Sequence, residues 1–137
     1  MPLSKLKVNN EEESIRLEMQ ELPDEIRGQA YSEIGTKLRD PDTYAVLNFS
    51  LVTGLHHFYL GKFIRGILEF TAFLIGLYMI LRGGTEVNGY VLMFLGIAIV
   101  GILVVVELME LFRAQVVVQD FNNRVSRKIL DKYHASL

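Results

Sequence analysis

The chain has 137 residues, half of them hydrophobic, with a formal net charge of −2 and a mean hydropathy of +0.27. The acidic balance argues against nucleic acid as a partner, because no basic stripe is available to cover phosphates. The absence of cysteine excludes disulfides, thiolate nucleophiles and thiolate metal sites. The long apolar runs are concentrated in residues 44–112, which indicates a membrane domain between a polar N-terminal helical region at 1–43 and a polar region at 113–137.

Most of the polar N-terminal region is predicted to be helical. Residues 10–40 have helical character, and Asn10 followed by Glu13 resembles a capping box at a helix start. Pro23 interrupts the pattern and can occupy the first turn of a second helix. The sequence "RDPDT" at 39–43 should end that helix, because a residue before proline disfavours the helical conformation. Around Pro23, apolar residues recur every four positions and predict one buried stripe: Leu22, Ile26, Ala30, Ile34 and Leu38.

Three apolar segments follow, at 44–60, 63–81 and 90–112. At about 1.5 Å per residue, the second and third can cross a hydrocarbon core of roughly 30 Å. The first is short and contains several polar side chains, among them Asn48, so it either crosses the membrane or dips in and returns. A tight turn is expected at 82–89. The expected fold is an all-α integral membrane protein with two to three transmembrane helices and amphipathic helical flanks.

The third apolar segment has no helix breaker at its end, so the helix is expected to continue into residues 113–137. This continuation is amphipathic, and its apolar stripe either lies on the membrane or on the chain's own N-terminal helix, or forms a short coiled coil between subunits. The stripe is therefore a candidate interaction face, formed by Val118, Phe121, Val125 and Ile129.

The distribution of cations predicts which parts of the chain are cytoplasmic. Lysine and arginine near membrane segments tend to remain on the cytoplasmic side. Lys62, Arg65 and the cations of the C-terminal tail share one side whether segment 44–60 crosses or re-enters. The linker at 61–65 and the C-terminal tail are therefore predicted to be cytoplasmic, while the side of the N-terminal region stays open.

The ionisable residues of the apolar segments are predicted to gather in one leaflet. Glu69 and Glu107 each lie about five residues from the cytoplasmic end of their segment, so antiparallel helices would place both roughly 7–8 Å deep. Charges at such depth are costly unless they are paired or hydrated, which makes the group a functional candidate. The candidate cluster consists of His56, His57, Arg65, Glu69, Glu107 and Glu110.

Two interpretations of this cluster remain open. Its histidines can be hydrogen-bonded helix-packing residues, with Tyr59 at the membrane interface. Alternatively, the histidines and carboxylates can form a path for protons or ions. A metal site is not expected, because two neighbouring residues point in different directions on a helix, and no cofactor is expected.

The stretch "GLHHFYLGKFIRGILEF" resembles the signature of the transmembrane-two (TM-two) domain family. His57 stands where that family usually has arginine, and Glu110 best matches its later acidic position. The resemblance implies an integral membrane protein built on a helical hairpin with a short polar linker, and it implies no established biochemical activity. The matching residues are Gly54, His56, Phe58, Tyr59, Leu60, Gly61 and Gly66.

These patterns lead to an expected function. The chain is expected to be a small non-enzymatic membrane protein in the lipid bilayer, binding a second copy of itself or another membrane protein. The alternative is a transport or ion-binding membrane subunit that uses the His and Glu cluster. An enzyme is not expected, because the chain contains no recognisable nucleophile and base set, phosphate-binding loop or zinc-protease spacing.

Overall fold

The computed structural model describes residues 4–50, 54–87 and 89–135. The described residues form α-helices joined by short connections, which confirms the all-α prediction. The chain divides into two compact units: one combines the region up to Pro41 with the region from Ala114 onward, and the other is Asp42–Arg113. The helices are α1 Lys5–Glu21, α2 Asp24–Gly35, α3 Pro41–Ser50, α4 Leu55–Tyr59, α5 Phe63–Thr85, α6 Tyr90–Phe112 and α7 Ala114–His134.

In the first unit, α1 and α2 pack against α7. The start of α1 lies earlier than predicted, because the side chain of Ser4 accepts a hydrogen bond from the Lys7 backbone N–H and caps the helix there. Asn10 is therefore inside α1 and does not cap it. The break at Pro23 and the end before Pro41 agree with the sequence-based prediction. The apolar core of the unit consists of Ile15, Met19, Leu22, Ala30, Ile34, Ile129 and Leu130.

The amphipathic stripe of α7 is used within the chain. Val118 and Ile129 are buried, Val125 packs against the core of this unit, and Phe121 is half-buried. The structure therefore corrects the expectation that Val118 and Ile129 belong to an interaction face for a second subunit, because both side chains are buried within the chain. The apolar side chains are covered by the helices that precede them in sequence, which was the other possibility that the spacing allowed.

Polar contacts reinforce the packing of α7 on α1. Asn123, which is buried, donates a hydrogen bond from Nδ2 to the Val8 carbonyl oxygen at 2.8 Å. The Arg127 guanidinium contacts Glu18 at 2.6 Å and Glu11 at 3.0 Å. These contacts fix the register between the two helices, because each joins groups that only one alignment brings together.

The helix in the third apolar segment does not continue without interruption. Arg113 ends α6 with φ −105° and ψ 6°, and its backbone N–H bonds to the carbonyl oxygen of Glu110, three residues back. This tighter hydrogen bond replaces the regular helical one. The predicted single helix is thus two helices, α6 and α7, that belong to different compact units.

Segment 44–60 is not one membrane-length helix. It contains the short helices α3 and α4, and Gly54 between them adopts the left-handed conformation with φ +69°. Pro41 begins α3, where its missing N–H is tolerated. Among the described residues, only α5 and α6 are long and apolar enough to cross a membrane. Of the two to three spans predicted, the described residues therefore supply two candidates.

Helices α5 and α6 form a hairpin whose contact surface contains glycine. A methyl group added at Gly96 would lie 2.6 Å from the Gly76 carbonyl oxygen, which is closer than packed atoms approach. Gly101, in the same helix, has no neighbour within 4 Å of such a methyl group. The predicted turn at 82–89 is shorter, since α5 continues to Thr85.

Candidate functional site: a buried polar cluster

Four helices of the second unit bring polar side chains together. The left-handed turn at Gly54 starts α4, whose histidines His56 and His57 are 1% and 0% exposed. Helix α5 contributes Glu69, while Glu107 and Glu110 lie one helical turn apart on α6. The rise per residue predicted that Glu69 and Glu107 lie at similar depths, and in the structure both contact the histidines of α4.

Each histidine contacts carboxylates. His57 Nε2 lies 2.9 Å from Glu69 Oε1 in hydrogen-bond geometry and 3.7 Å from Glu110 Oε2. His56 Nε2 lies 3.1 Å from Glu110 Oε2, and its Nδ1 lies 3.4 Å from Glu107 Oε2. The imidazoles thus join the carboxylate of α5 to both carboxylates of α6.

Helix α3 supplies two hydrogen-bond donors that the sequence-based cluster did not include. The Tyr44 hydroxyl donates to Glu110 Oε2 at 3.2 Å, and Asn48 Nδ2 donates to Glu107 Oε2 at 2.8 Å. Both side chains are buried, and burial together with the Glu110 charge raises the pKa of Tyr44. Tyr44 and Asn48 are four residues apart, which places them on one face of a helix. This spacing is the feature of the sequence from which their joint position could have been predicted.

Arg65 closes the cluster from the more exposed side. Its guanidinium pairs with Glu110, and its Nε donates to Glu69 Oε1 at 3.2 Å. The side chain is 48% exposed, so it reaches the carboxylates from the solvent-accessible edge. All six candidate residues of the predicted cluster are therefore within one network.

The charges of the cluster do not balance. Glu69, Glu107 and Glu110 face one guanidinium, so the cluster carries a formal charge of −2 when both imidazoles are neutral. Burial lowers the pKa of His57, and the neighbouring His56 lowers it further, against the opposing effect of Glu69. In addition, the Nδ1 atoms of both histidines and Oε2 of Glu69 are buried without a hydrogen-bond partner.

The remaining residues of the "GLHHFYLG" stretch shape the turn that presents the histidines. The Phe58 ring lies against Gly66, where a methyl group would be 2.8 Å from the ring. Leu60 is buried and Tyr59 is half-buried. Gly61 has φ +69°, a conformation that suits glycine, and the Lys62 N–H bonds to the His57 carbonyl oxygen at 2.8 Å.

Comparisons of the chain with protein-family models, with curated proteins and with solved structures returned no match. The polar cluster is therefore interpreted from its own geometry: two imidazoles, three carboxylates, one guanidinium, a phenol and a carboxamide in mutual contact.

Proposed function

We propose that this chain is a small non-enzymatic integral membrane protein that crosses the bilayer with α5 and α6 and binds other membrane proteins or a second copy of itself. The observation that carries the proposal is the outward apolar surface of the hairpin. Glycine contacts close its inner face, while large side chains such as Ile64, Phe94 and Ile102 point away from it, Ile102 being 65% exposed. Such a surface needs lipid or another apolar surface to cover it.

The packing of the first unit supports a specific topology. Helix α7 packs on α1 and α2, so the parts of the chain before and after the hairpin have to be on the same side of a membrane. An even number of crossings between them satisfies this requirement, and α5 and α6 supply two. Lys62, Arg65 and Arg113 flank the same end of the hairpin, which favours the cytoplasm for that side.

The polar cluster supports a fixed arrangement of α3 and α4 at this end of the hairpin. Glu69 is six residues from the start of α5, or about 9 Å along the helix, and Glu110 is two residues from the end of α6. Hydrogen bonds from Tyr44, Asn48 and the histidines hold the preceding segment onto these carboxylates.

Membrane extraction and crosslinking test the proposal. The natural chain lacks cysteine, so Ile102→Cys introduces one reactive thiol on the outward face of α6. We expect the protein to remain in the membrane pellet after an alkaline carbonate wash, and Ile102→Cys to form crosslinked species in the membrane. The matched control is Ile99→Cys, because Ile99 packs towards Gly76 of the same hairpin and should not crosslink.

Two results would contradict the proposal. Release of the wild-type chain by carbonate would show that α5 and α6 do not cross the bilayer. Absence of crosslinked species from cysteines at Ile64, Phe94 and Ile102 alike would show that the outward face of the hairpin contacts lipid alone.

A further inference from the structure

We propose that the polar cluster is a binding site for one divalent transition-metal ion of the Zn²⁺ class, with His56, His57 and Glu110 as ligands. The Nε2 atom of each histidine and one carboxylate oxygen of Glu110 supply the bonds. This inference goes beyond the proposed function, because it does not depend on whether the hairpin binds another protein.

The distances between the donor atoms fit one small metal ion. Bonds of about 2.0–2.1 Å to nitrogen and oxygen in a tetrahedral site place neighbouring donors about 3.3 Å apart. The observed separations are 3.1 Å from His56 Nε2 to Glu110 Oε2 and 3.7 Å from His57 Nε2 to the same oxygen. Donor atoms of His56, His57 and Glu110 all lie within 4.8 Å of one another.

The orientation of the two histidines removes the argument against a metal site. Adjacent residues on a regular helix diverge, but α4 has only five residues and starts from the left-handed Gly54. The imidazole centroids of His56 and His57 are 4.0 Å apart, and both Nε2 atoms approach Glu110 Oε2. The short helix thus presents both ring nitrogens to the same space.

A second carboxylate lies beside the other ring nitrogen of the first histidine, at ion-pair distance but without a hydrogen bond in this structure. Metal-bound histidines usually donate the hydrogen of their other ring nitrogen to a carboxylate or carbonyl group. Glu107 Oε2 lies 3.4 Å from His56 Nδ1, and Asn48 holds the same oxygen at 2.8 Å. With the His56 proton on Nδ1, Nε2 is free to bind the metal and no net proton has to leave this imidazole.

The unsatisfied groups and the charge of the cluster also favour a cation. Glu69 Oε2 lies 2.9 Å from His57 Nε2 but makes no hydrogen bond, because Oε1 takes that role. A buried carboxylate oxygen without a hydrogen bond is stabilised by a cation nearby. A divalent ion would also neutralise the formal charge of −2 that Arg65 leaves in the cluster. Two imidazoles among the ligands select Zn²⁺, Fe²⁺ or Ni²⁺ over Ca²⁺ and Mg²⁺, which prefer oxygen.

The test is a metal titration of the full chain in detergent. The chain is purified without a polyhistidine tag, stripped with a chelator, and titrated with Zn²⁺ and with Co²⁺. We expect one equivalent of either ion per chain, and Co²⁺ should show ligand-field absorption typical of four-coordination. His57→Ala and Glu110→Gln should weaken binding by more than about 100-fold, because losing even an orienting group costs 10–100-fold.

Three further variants make the test specific. Glu107→Gln keeps the three ligands and should weaken binding by about 10–100-fold. His134→Ala removes the histidine of the other compact unit and should leave binding unchanged. Arg65→Gln removes the competing cation of Glu69 and Glu110 and should tighten binding, whereas a cluster that only holds helices together would gain no metal from this change.

Two results would overturn the inference. One is that the helical, stripped wild-type chain binds less than one equivalent of Zn²⁺ and of Co²⁺ at saturation. The other is that a His56→Ala and His57→Ala double variant retains wild-type affinity. The wild-type stoichiometry decides the question even if a variant fails to fold, and the measurement in detergent does not require a protein partner or a membrane.

Discussion

At the scale of single residues, the two glycines inside α6 have different surroundings. Gly96 faces α5, where the Gly76 carbonyl oxygen and Ile80 occupy the space that a side chain would need. Gly101 is exposed and has no neighbour within 4 Å. The sequence suggests close helix packing at both positions equally, because it does not reveal which face of α6 meets α5.

This difference predicts opposite effects of the same substitution. Gly96→Ala should destabilise the hairpin by about 1–3 kcal/mol, because the methyl group forces two backbones apart. Gly101→Ala is the matched control and should be neutral or stabilising by up to about 1 kcal/mol, since alanine favours the helix. Unfolding of both variants in detergent, followed by circular dichroism, measures the difference. Equal destabilisation by the two substitutions would contradict the observed packing of the hairpin.

At the scale of helices, an ionic contact joins α2 to α7. Glu33 pairs with Lys132 of α7 at 2.8 Å and with Lys37 at 2.7 Å, and the Tyr133 hydroxyl also reaches its carboxylate at 3.3 Å. The hydrogen bond from Lys132, and then that from Lys37, lowers the pKa of Glu33 from 4.5 to about 2. The ionised carboxylate therefore favours the packed state of these helices.

The sign of the resulting pH dependence follows from the lowered pKa. Because the folded pKa of Glu33 lies below its unfolded value, the stabilisation is complete above about pH 4.5 and is lost as the pH falls towards 2. Glu33→Gln should lower the thermal midpoint at pH 7 and flatten the decrease between pH 4.5 and 2. Glu25→Gln, which changes an exposed carboxylate of the same helix, is the control. An unchanged acid slope in Glu33→Gln would contradict the prediction.

Helix geometry also explains how much of the candidate site the sequence predicts. The rise per residue is enough to place Glu69 and Glu107 at one depth, and both belong to the observed cluster. Tyr44 and Asn48 were not predicted, because segment 44–60 has the hydropathy of a possible span and its division at Gly54 depends on backbone conformation. The end of α6 at Arg113 is likewise set by a local hydrogen bond and not by a helix-breaking residue.

At the scale of the whole molecule, the packing of α7 on α1 and α2 constrains the two-crossing topology proposed for the chain. Residues before α3 and residues after α6 form one compact unit with a common apolar core. This unit can form only if the regions are on one side. The distribution of charges alone does not determine the side of the N-terminal region, because it contains no information about the packing of α7 on α1 and α2.

Cysteine labelling in intact cells tests this topology. With both regions in the cytoplasm, Asn9→Cys and Ala135→Cys should be protected from a membrane-impermeant thiol reagent. Val87→Cys, at a residue 99% exposed in the connection between α5 and α6, should react and is the positive control. All three cysteines should react after the membrane is permeabilised. Labelling of only one of Asn9→Cys and Ala135→Cys in intact cells would contradict two crossings.

The first unit combines two regions that are far apart in the sequence, and this has a consequence for biosynthesis. Helices α1 and α2 leave the ribosome before α5 and α6, and α7 is translated last, with about 80 residues between Gly35 and Ala114. At ~5–20 residues per second, the roughly 100 residues from Ala30 to Ile129 take about 5–20 seconds, and until then the apolar faces around Met19 and Ala30 lack Ile129 and Leu130. During that interval they are available to chaperones and proteases. If α5 and α6 cross the bilayer as proposed, a chain in which only one of them inserts would hold α7 on the opposite side from these faces, so burial of the faces would depend on insertion of both helices.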